Sequence, residues 1–201
     1  MSASIRSLNI GVPEPAAWAA LQRTAIRKSV VAGPLRVTRL GLEGDQVADL
    51  RHHGGEDKAL YAFAREDLDF WEGVLGRPIG DGQFGENLTT TGIDVNEALV
   101  GERWRVGTAL VEVSEPRIPC SDFKNWMGAS GYDPTAWVKR FTAEGRPGPY
   151  LRVVEEGIVA AGDPLVVEHR PAHGVTLTAY FQACTTRKSE LAAVEAAIAA
   201  G

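Results

Sequence analysis

Apolar and polar positions alternate along Ser4–Gly11, "SIRSLNIG", with Arg6, Leu8 and Ile10 on one side. This period of two predicts a first strand. On either side of Gly33-Pro34, "RTAIRKSVV" and "LRVTRLGL" read as two more. "KALYAFA" is a strand or the entry into a helix, "REDLDFWEGVLG". There Leu68, Trp71 and Leu75 share one face, acidic residues fill the first turn and Gly76 follows the end. "ENLTTTG" is strand-like again. "RWRVGTALVEV" predicts a hairpin turning at Gly107-Thr108 with type II′ geometry. Asp133-Pro134 predicts a helix start, followed by an apolar stripe of Trp137, Val138 and Phe141 and closed by Gly145. "YLRVVEEG" and "DPLVVEH" are the last strands. Beyond Pro171 the pattern turns helical and alanine-rich, in "GVTLTAYFQAC" and "KSELAAVEAAIAA".

These elements predict a mainly β domain over residues 1–170 and a short helical extension over residues 171–201. Many short strands with glycine turns favour a closed or half-closed β-barrel with peripheral helices. Strands and helices do not alternate regularly, and neither GxGxxG nor a Walker A pattern occurs, so the commonest nucleotide folds are excluded.

The chain's 201 residues, 44% hydrophobic and 23% charged, suffice for one domain with a real core. No apolar run reaches the roughly 20 residues of a membrane span. The first fifteen residues lack the apolar stretch of a secretory signal, so the cytoplasm is the expected location. A net charge of -5 argues against a nucleic-acid partner, although one local cationic pocket remains compatible with it. Cys120 and Cys184 form no CxxC and no disulfide framework; in a reducing compartment both are free thiols.

Four stretches carry candidate chemistry. In "SEPRIPCSDF", Pro116 and Pro119 stiffen the chain around Cys120, with Arg117 and Lys124 close in sequence. Cations favour a reactive thiolate, but a buried structural cysteine fits the local sequence equally well. In "RHHGGEDKALY", His53 precedes Gly54 and Gly55, whose backbone N–H groups are free to approach a ligand; a plain turn is the alternative. Zinc fits poorly there, because no third ligand stands at a recognisable spacing. In "GQFGENLTTTG", Glu86 and Asn87 are either turn chemistry or binding groups. Lys28 and Ser29 are the types that hold a phosphate, or else a solvated strand edge. "GLEGDQVAD" reads as a tight loop.

In order along the chain, Lys28-Ser29, "GLEGDQVADLRHHGGEDKALYAF", "FGENLTTTG" and "PRIPC" together resemble the MOSC-domain family, in its YiiM-like bacterial branch. The name refers to the C-terminal domain of molybdenum cofactor sulfurase. The resemblance covers about residues 5–170. It implies a MOSC-type β-barrel and a bound molybdenum cofactor, with Cys120 as the protein ligand to molybdenum. It also implies a cofactor pocket of Lys28, Ser29, His53, Gly54, Gly55, Asn87, Arg117 and Cys120. The implied reaction is two-electron reduction of small N-hydroxylated compounds, such as hydroxylaminopurines, to amines. By residue type, His53 and Glu86 are candidate proton donors. The chain has no flavin, haem or iron–sulfur signature, so a separate reductase is expected to supply the electrons. The extension is a candidate surface for homodimerisation or partner docking. A non-catalytic carrier, of the cofactor or of a sulfur species on Cys120, is the alternative function.

Overall fold

The computed structural model describes residues 2–201. In chain order the strands are β1 (Ser4–Ile10), β2 (Glu14–Pro15), β3 (Arg23–Thr24), β4 (Ser29–Val31), β5 (Leu35–Thr38), β6 (Gly41–Leu42), β7 (Leu60–Ala64), β8 (Leu88–Thr91), β9 (Arg103–Val106), β10 (Ala109–Pro116), β11 (Pro149–Glu155), β12 (Gly157–Val159) and β13 (Leu165–His169). The helices are α1 (Leu50–His53), α2 (Arg65–Leu75), α3 (Ser121–Ala129), α4 (Trp137–Glu144), α5 (Leu177–Thr185) and α6 (Leu191–Ala200). It is a mixed fold dominated by sheet. Eight strands pair in the order β13-β9-β10-β11-β7-β8-β1-β4, with β12-β5-β6 and β2-β3 as smaller sheets. Within the large sheet only β7 and β8 run parallel; all its other pairs are antiparallel. The start of β1 also touches the chain entering β13. Ser4 bridges to Pro164, Ile5 N–H donates to Asp163 O at 2.9 Å, and Gly162 N–H donates to Ile5 O at 2.7 Å.

Several expected elements shift. The register of β1 against β8 slips between Ile5 and Ser7, so Ile5 and Leu8 both reach the core while Arg6 is exposed. Arg6 therefore does not share the face of Leu8, because a bulge resets the two-residue period. "RTAIRKSVV" breaks into β3 and β4, and "LRVTRLGL" folds back on itself as β5 and β6. The hairpin at Gly107-Thr108 forms between β9 and β10. Gly107 takes φ +56 and Thr108 stays negative, the pattern of a type II′ turn. The helix after Asp133-Pro134 begins three residues late. Asp133 instead caps a turn, accepting from Thr135 N–H at 2.9 Å, and Ala136 at φ +50 separates that turn from α4. The pattern reading assigned no helix to Ser121–Ala129; its signal, Phe123 and Met127 four residues apart, is only two residues long.

Two cores result. An aliphatic one fills the sheets and includes Ile5, Leu8, Leu60, Val111 and Leu151. An aromatic one joins α2, α3 and α4 to the β7 side of the sheet. In it Trp71 stacks on Phe141 at 5.8 Å, and Phe123 meets the edge of Trp137 at 5.4 Å. Such pairs add about 0.5–1.5 kcal/mol each beyond burial. Phe123 thereby fixes α3, whose first residue follows Cys120. The C-terminal helices do not stand free, since Leu177 and Phe181 of α5 are fully buried, one in each core. Among the described residues no helix is long and apolar enough to cross a membrane.

Candidate functional site

A cavity of about 110 Å³ opens between the β2–β3 segment, the Asp45–Asp49 loop, α1 and the end of β10. It gathers Lys28, His53, Asn87, Arg117 and Cys120 from four separated stretches. Ser29, Gly54, Gly55 and Glu86 do not line it.

The strand geometry separates Lys28 from Ser29. Adjacent residues on an extended chain face opposite sides, so Lys28 reaches the cavity while Ser29 is exposed. Lys28 is not a free cation. Its Nζ donates to both carboxylate oxygens of Asp45, at 2.5 and 2.7 Å, and each side chain is 7% exposed. Asp45 also accepts from Gly11 N–H at 2.7 Å and from Asn87 Nδ2 at 2.9 Å. Asn87 is equally committed: Oδ1 accepts from Tyr61 N–H and Nδ2 also donates to Asn9 O. This end of the cavity is electrically closed.

Glu86 is fully buried and turned into its own loop. It accepts from Gly82 N–H at 2.6 Å, Phe84 N–H at 3.0 Å and Thr89 Oγ1 at 3.1 Å. Burial pushes its carboxyl up to about 7, against the pull of those donors. These contacts shape the loop that presents Asn87, and Glu86 itself does not line the cavity.

The two glycines after His53 also serve the backbone. A Cβ on Gly54 would lie 2.7 Å from Leu50 O, against the first turn of α1. Gly55 takes φ +101, which only glycine adopts without strain. Together they turn the chain sharply after α1, so that His53 at its end meets β11. Asp49 caps α1, accepting from Arg51 and His52 N–H. His53 Nδ1 lies 3.2 Å from Tyr150 Oη. Burial, and then the Arg117 charge, hold His53 down to about 4, so it is neutral near pH 7. Burial pushes Tyr150 up to about 12 and raises Tyr61 well above its ordinary value.

The β10–β11 ladder ends where Pro116 faces Pro149, neither of which has an N–H to continue it. Arg117 N–H then bonds Gly148 O, and Cys120 becomes the N-cap of α3. A thiolate at that position faces the positive end of the helix dipole. Arg117 is 4% exposed, lies 4.0 Å over the Phe123 ring and 5.7 Å from that of Tyr61, and its Nη1 has no hydrogen-bond partner. A strap crosses the rim. Ala20 N–H donates to Asp122 at 3.1 Å, Asn125 donates to Trp18 O, and Trp18 packs on Trp126. This strap brings Leu21 and Arg23 to the cavity.

Asp45, Tyr61 and Tyr150 are the site residues that motif reading missed. Asp45 sits in a stretch that reads as a tight loop. Tyr61 and Tyr150 are simply register partners across β7 and β11, which no local signal reveals.

The MOSC domain model matches residues 49–166, which contain His53, Asn87, Arg117 and Cys120. The chain belongs to the MOSC-domain family. Within that family it is similar to the uncharacterized protein YflK of Bacillus subtilis, at 35% identity over 87% of this chain and 77% of that protein. The crystal structure of YiiM from Geobacillus stearothermophilus superposes with a TM-score of 0.79 at 31% identity, covering 98% of this chain and 90% of that one. A "Reductase" of Gibberella moniliformis is 32% identical over 74% of this MOSC chain, but the match spans only 26% of that much longer protein.

Proposed function

We propose that this MOSC protein is an oxidoreductase that holds the molybdenum cofactor and reduces small N-hydroxylated compounds, hydroxylaminopurines among them, to amines. The observation that carries the reading is the pairing, in one cavity, of a single thiol with a buried cation that has no acidic partner. Among the described residues no three His, Cys, Asp or Glu converge on a point. A metal held by protein side chains alone would need such a cluster, whereas a metal carried on a dithiolene needs one soft ligand, and Cys120 is that ligand type. The aromatic walls Tyr61, Phe84 and Tyr150 suit a flat heterocycle. The reductase-named relative points the same way. When bound, the cofactor supplies the two-electron chemistry that breaks an N–O bond.

The chain's own residues bind and orient. Cys120 holds the metal, Arg117 offsets negative charge, and His53 shares a proton with Tyr150 Oη at the cavity wall. Electrons come from a separate reductase. A reducing compartment, the cytoplasm, keeps Cys120 a thiol. We take residues 1–170 as the MOSC unit, its sheet closing into a barrel through the Ser4–Pro164 bridge. Residues 171–201 form an extension docked by Leu177 and Phe181, with α6 left for contact with a second copy or a partner.

The test uses protein made in a host that synthesises the cofactor. Molybdenum is measured in wild type and Cys120→Ala, and hydroxylaminopurine reduction is assayed with a chemical electron donor. Metal that depends on Cys120, together with turnover, supports the reading. Full metal retention in Cys120→Ala overturns the ligand assignment. Bound cofactor without turnover on several N-hydroxylated substrates points instead to a carrier.

A further inference from the structure

We propose that Arg117 is the floor of an oxyanion-binding subsite beside Cys120, distinct from the Lys28 end of the same cavity. The inference deepens the cofactor reading by naming which cation takes the ligand's anionic group. It does not depend on Cys120 being a metal ligand.

Four cationic side chains line the cavity: Arg23, Lys28, Lys58 and Arg117. Lys28 is neutralised by Asp45. Lys58 pairs with Glu115 at 3.1 Å. Arg23 is exposed to water. Only Arg117, among the described residues, is a buried cavity cation with no acidic partner. A buried charge without compensation is costly, by several kcal/mol, and a buried donor without an acceptor adds to that. Native proteins rarely keep such a group unless something else meets it.

The surroundings select an anion. Phe123 at 4.0 Å and Tyr61 at 5.7 Å hold the guanidinium plane, and neither ring offers a carboxylate. His53 is neutral, and Tyr150 keeps its proton and can donate. Both lie within the electrostatic reach of Arg117. The acidic side chains that line the cavity are each taken by other donors, Asp45 by Lys28, Asp49 by His52 and Asp122 by Ala20 N–H, so the subsite offers donors and positive charge with no carboxylate paired to Arg117. A planar fork of N–H donors suits the paired oxygens of a tetrahedral oxyanion. Within the cofactor, two groups share that chemistry: the phosphate terminus, and the oxygen-bearing metal end, for which molybdate is the probe.

The test titrates inorganic phosphate, and separately molybdate, into the full chain by calorimetry at low ionic strength. The protein is produced in a host that cannot make the pterin. Wild type is expected to bind at least one of them. Arg117→Met should weaken that binding by more than about tenfold, the worth of a hydrogen bond to a charged group. The charge-neutral pair Lys28→Met/Asp45→Asn should stay within about twofold, since it removes no anion contact of this kind. If Arg117→Met does not fold, Arg117→Lys decides: it keeps the charge, loses the fork and should bind roughly threefold or more weakly. Preference for phosphate assigns the subsite to the phosphate terminus, and preference for molybdate to the metal end; either supports the proposal. No binding by wild type at millimolar concentration overturns it. So does affinity unchanged in Arg117→Met, or lost in the Lys28/Asp45 pair and kept in Arg117→Met. Arg117-dependent binding alongside full metal retention in Cys120→Ala would leave this subsite standing and sink the ligand assignment.

Discussion

Lys28 and Arg117 both bring a positive charge to the same cavity, and their surroundings treat them oppositely. Lys28 is clamped by Asp45, which Gly11 and Asn87 hold in turn. Arg117 is as deeply buried, yet it rests only on aromatic rings. One end is a finished electrostatic unit that braces β1, the Asp45 loop and β8. The other leaves charge available. Burial of a cation in a pocket therefore says little about ligand binding until its partners are counted.

The contrast can be broken at its strongest point first. Lys28→Met strands Asp45 as a buried, unpaired carboxylate, and should cost about 3–5 kcal/mol in urea unfolding. That corresponds to a drop in Tm of roughly 10 °C for a chain of this size. Adding Asp45→Asn should recover most of the loss. Equal stability of the single and double variants would mean that the pair is not the brace described.

A pH series sharpens the same comparison, because each end holds one perturbed group. Glu86 titrates at about 7 in the fold against 4.5 ordinarily. The folded state keeps its proton longer, so this contribution is fully present below pH 4.5 and is lost as pH rises to about 7. His53 titrates at about 4 against 6.5. The unfolded state takes the proton first, so this contribution is present above pH 6.5 and is lost as pH falls towards 4. The two slopes oppose each other. Relative to wild type, Glu86→Gln should gain about 3 kcal/mol between pH 4.5 and 7, and His53→Asn should gain about as much as pH falls from 6.5 to 4. Denaturation curves across that range that run parallel to wild type for both variants would contradict the assignment.

The smallest effect concerns the rim at the Arg117 end. Asp122→Ala removes the acceptor of Ala20 N–H and should cost about 1 kcal/mol or less, because the contact is exposed. Hydrogen exchange at Ala20 should quicken about fivefold while exchange in β10 stays unchanged.

Much of this was readable from the chain. α2 and the hairpin at Gly107 were local statements, written by helical period and by a turn residue with positive φ. Cys120, Arg117 and His53 were found as motif residues and do line the cavity. What stayed hidden was relational. Asp45 lies 17 residues from Lys28, and no spacing rule announces their pairing. Glu86 looked like chemistry because carboxylates often are; its three donors come from its own loop and the start of β8 and become visible only in three dimensions. Gly54 and Gly55 read as ligand contacts; they do not line the cavity and turn the chain after α1, since a flexible pair reads the same whether it approaches a ligand or a neighbouring turn. The bulge in β1 moved Arg6 off the face that strict alternation assigns it.

The contact between the start of β1 and residues 162–165 has a consequence for biosynthesis. β4 pairs with β1 along Leu8–Ile10 and β8 along Ser4–Leu8, but the other side of Ser4 and Ile5 stays open until the chain has been made as far as residues 162–165. Until then Ile5 lacks partners on that side, and an unpaired apolar strand edge is where nascent chains aggregate. That edge is thus closed late, and substitutions at Ser4 or Ile5 should lower soluble yield more than they lower the stability of the finished protein.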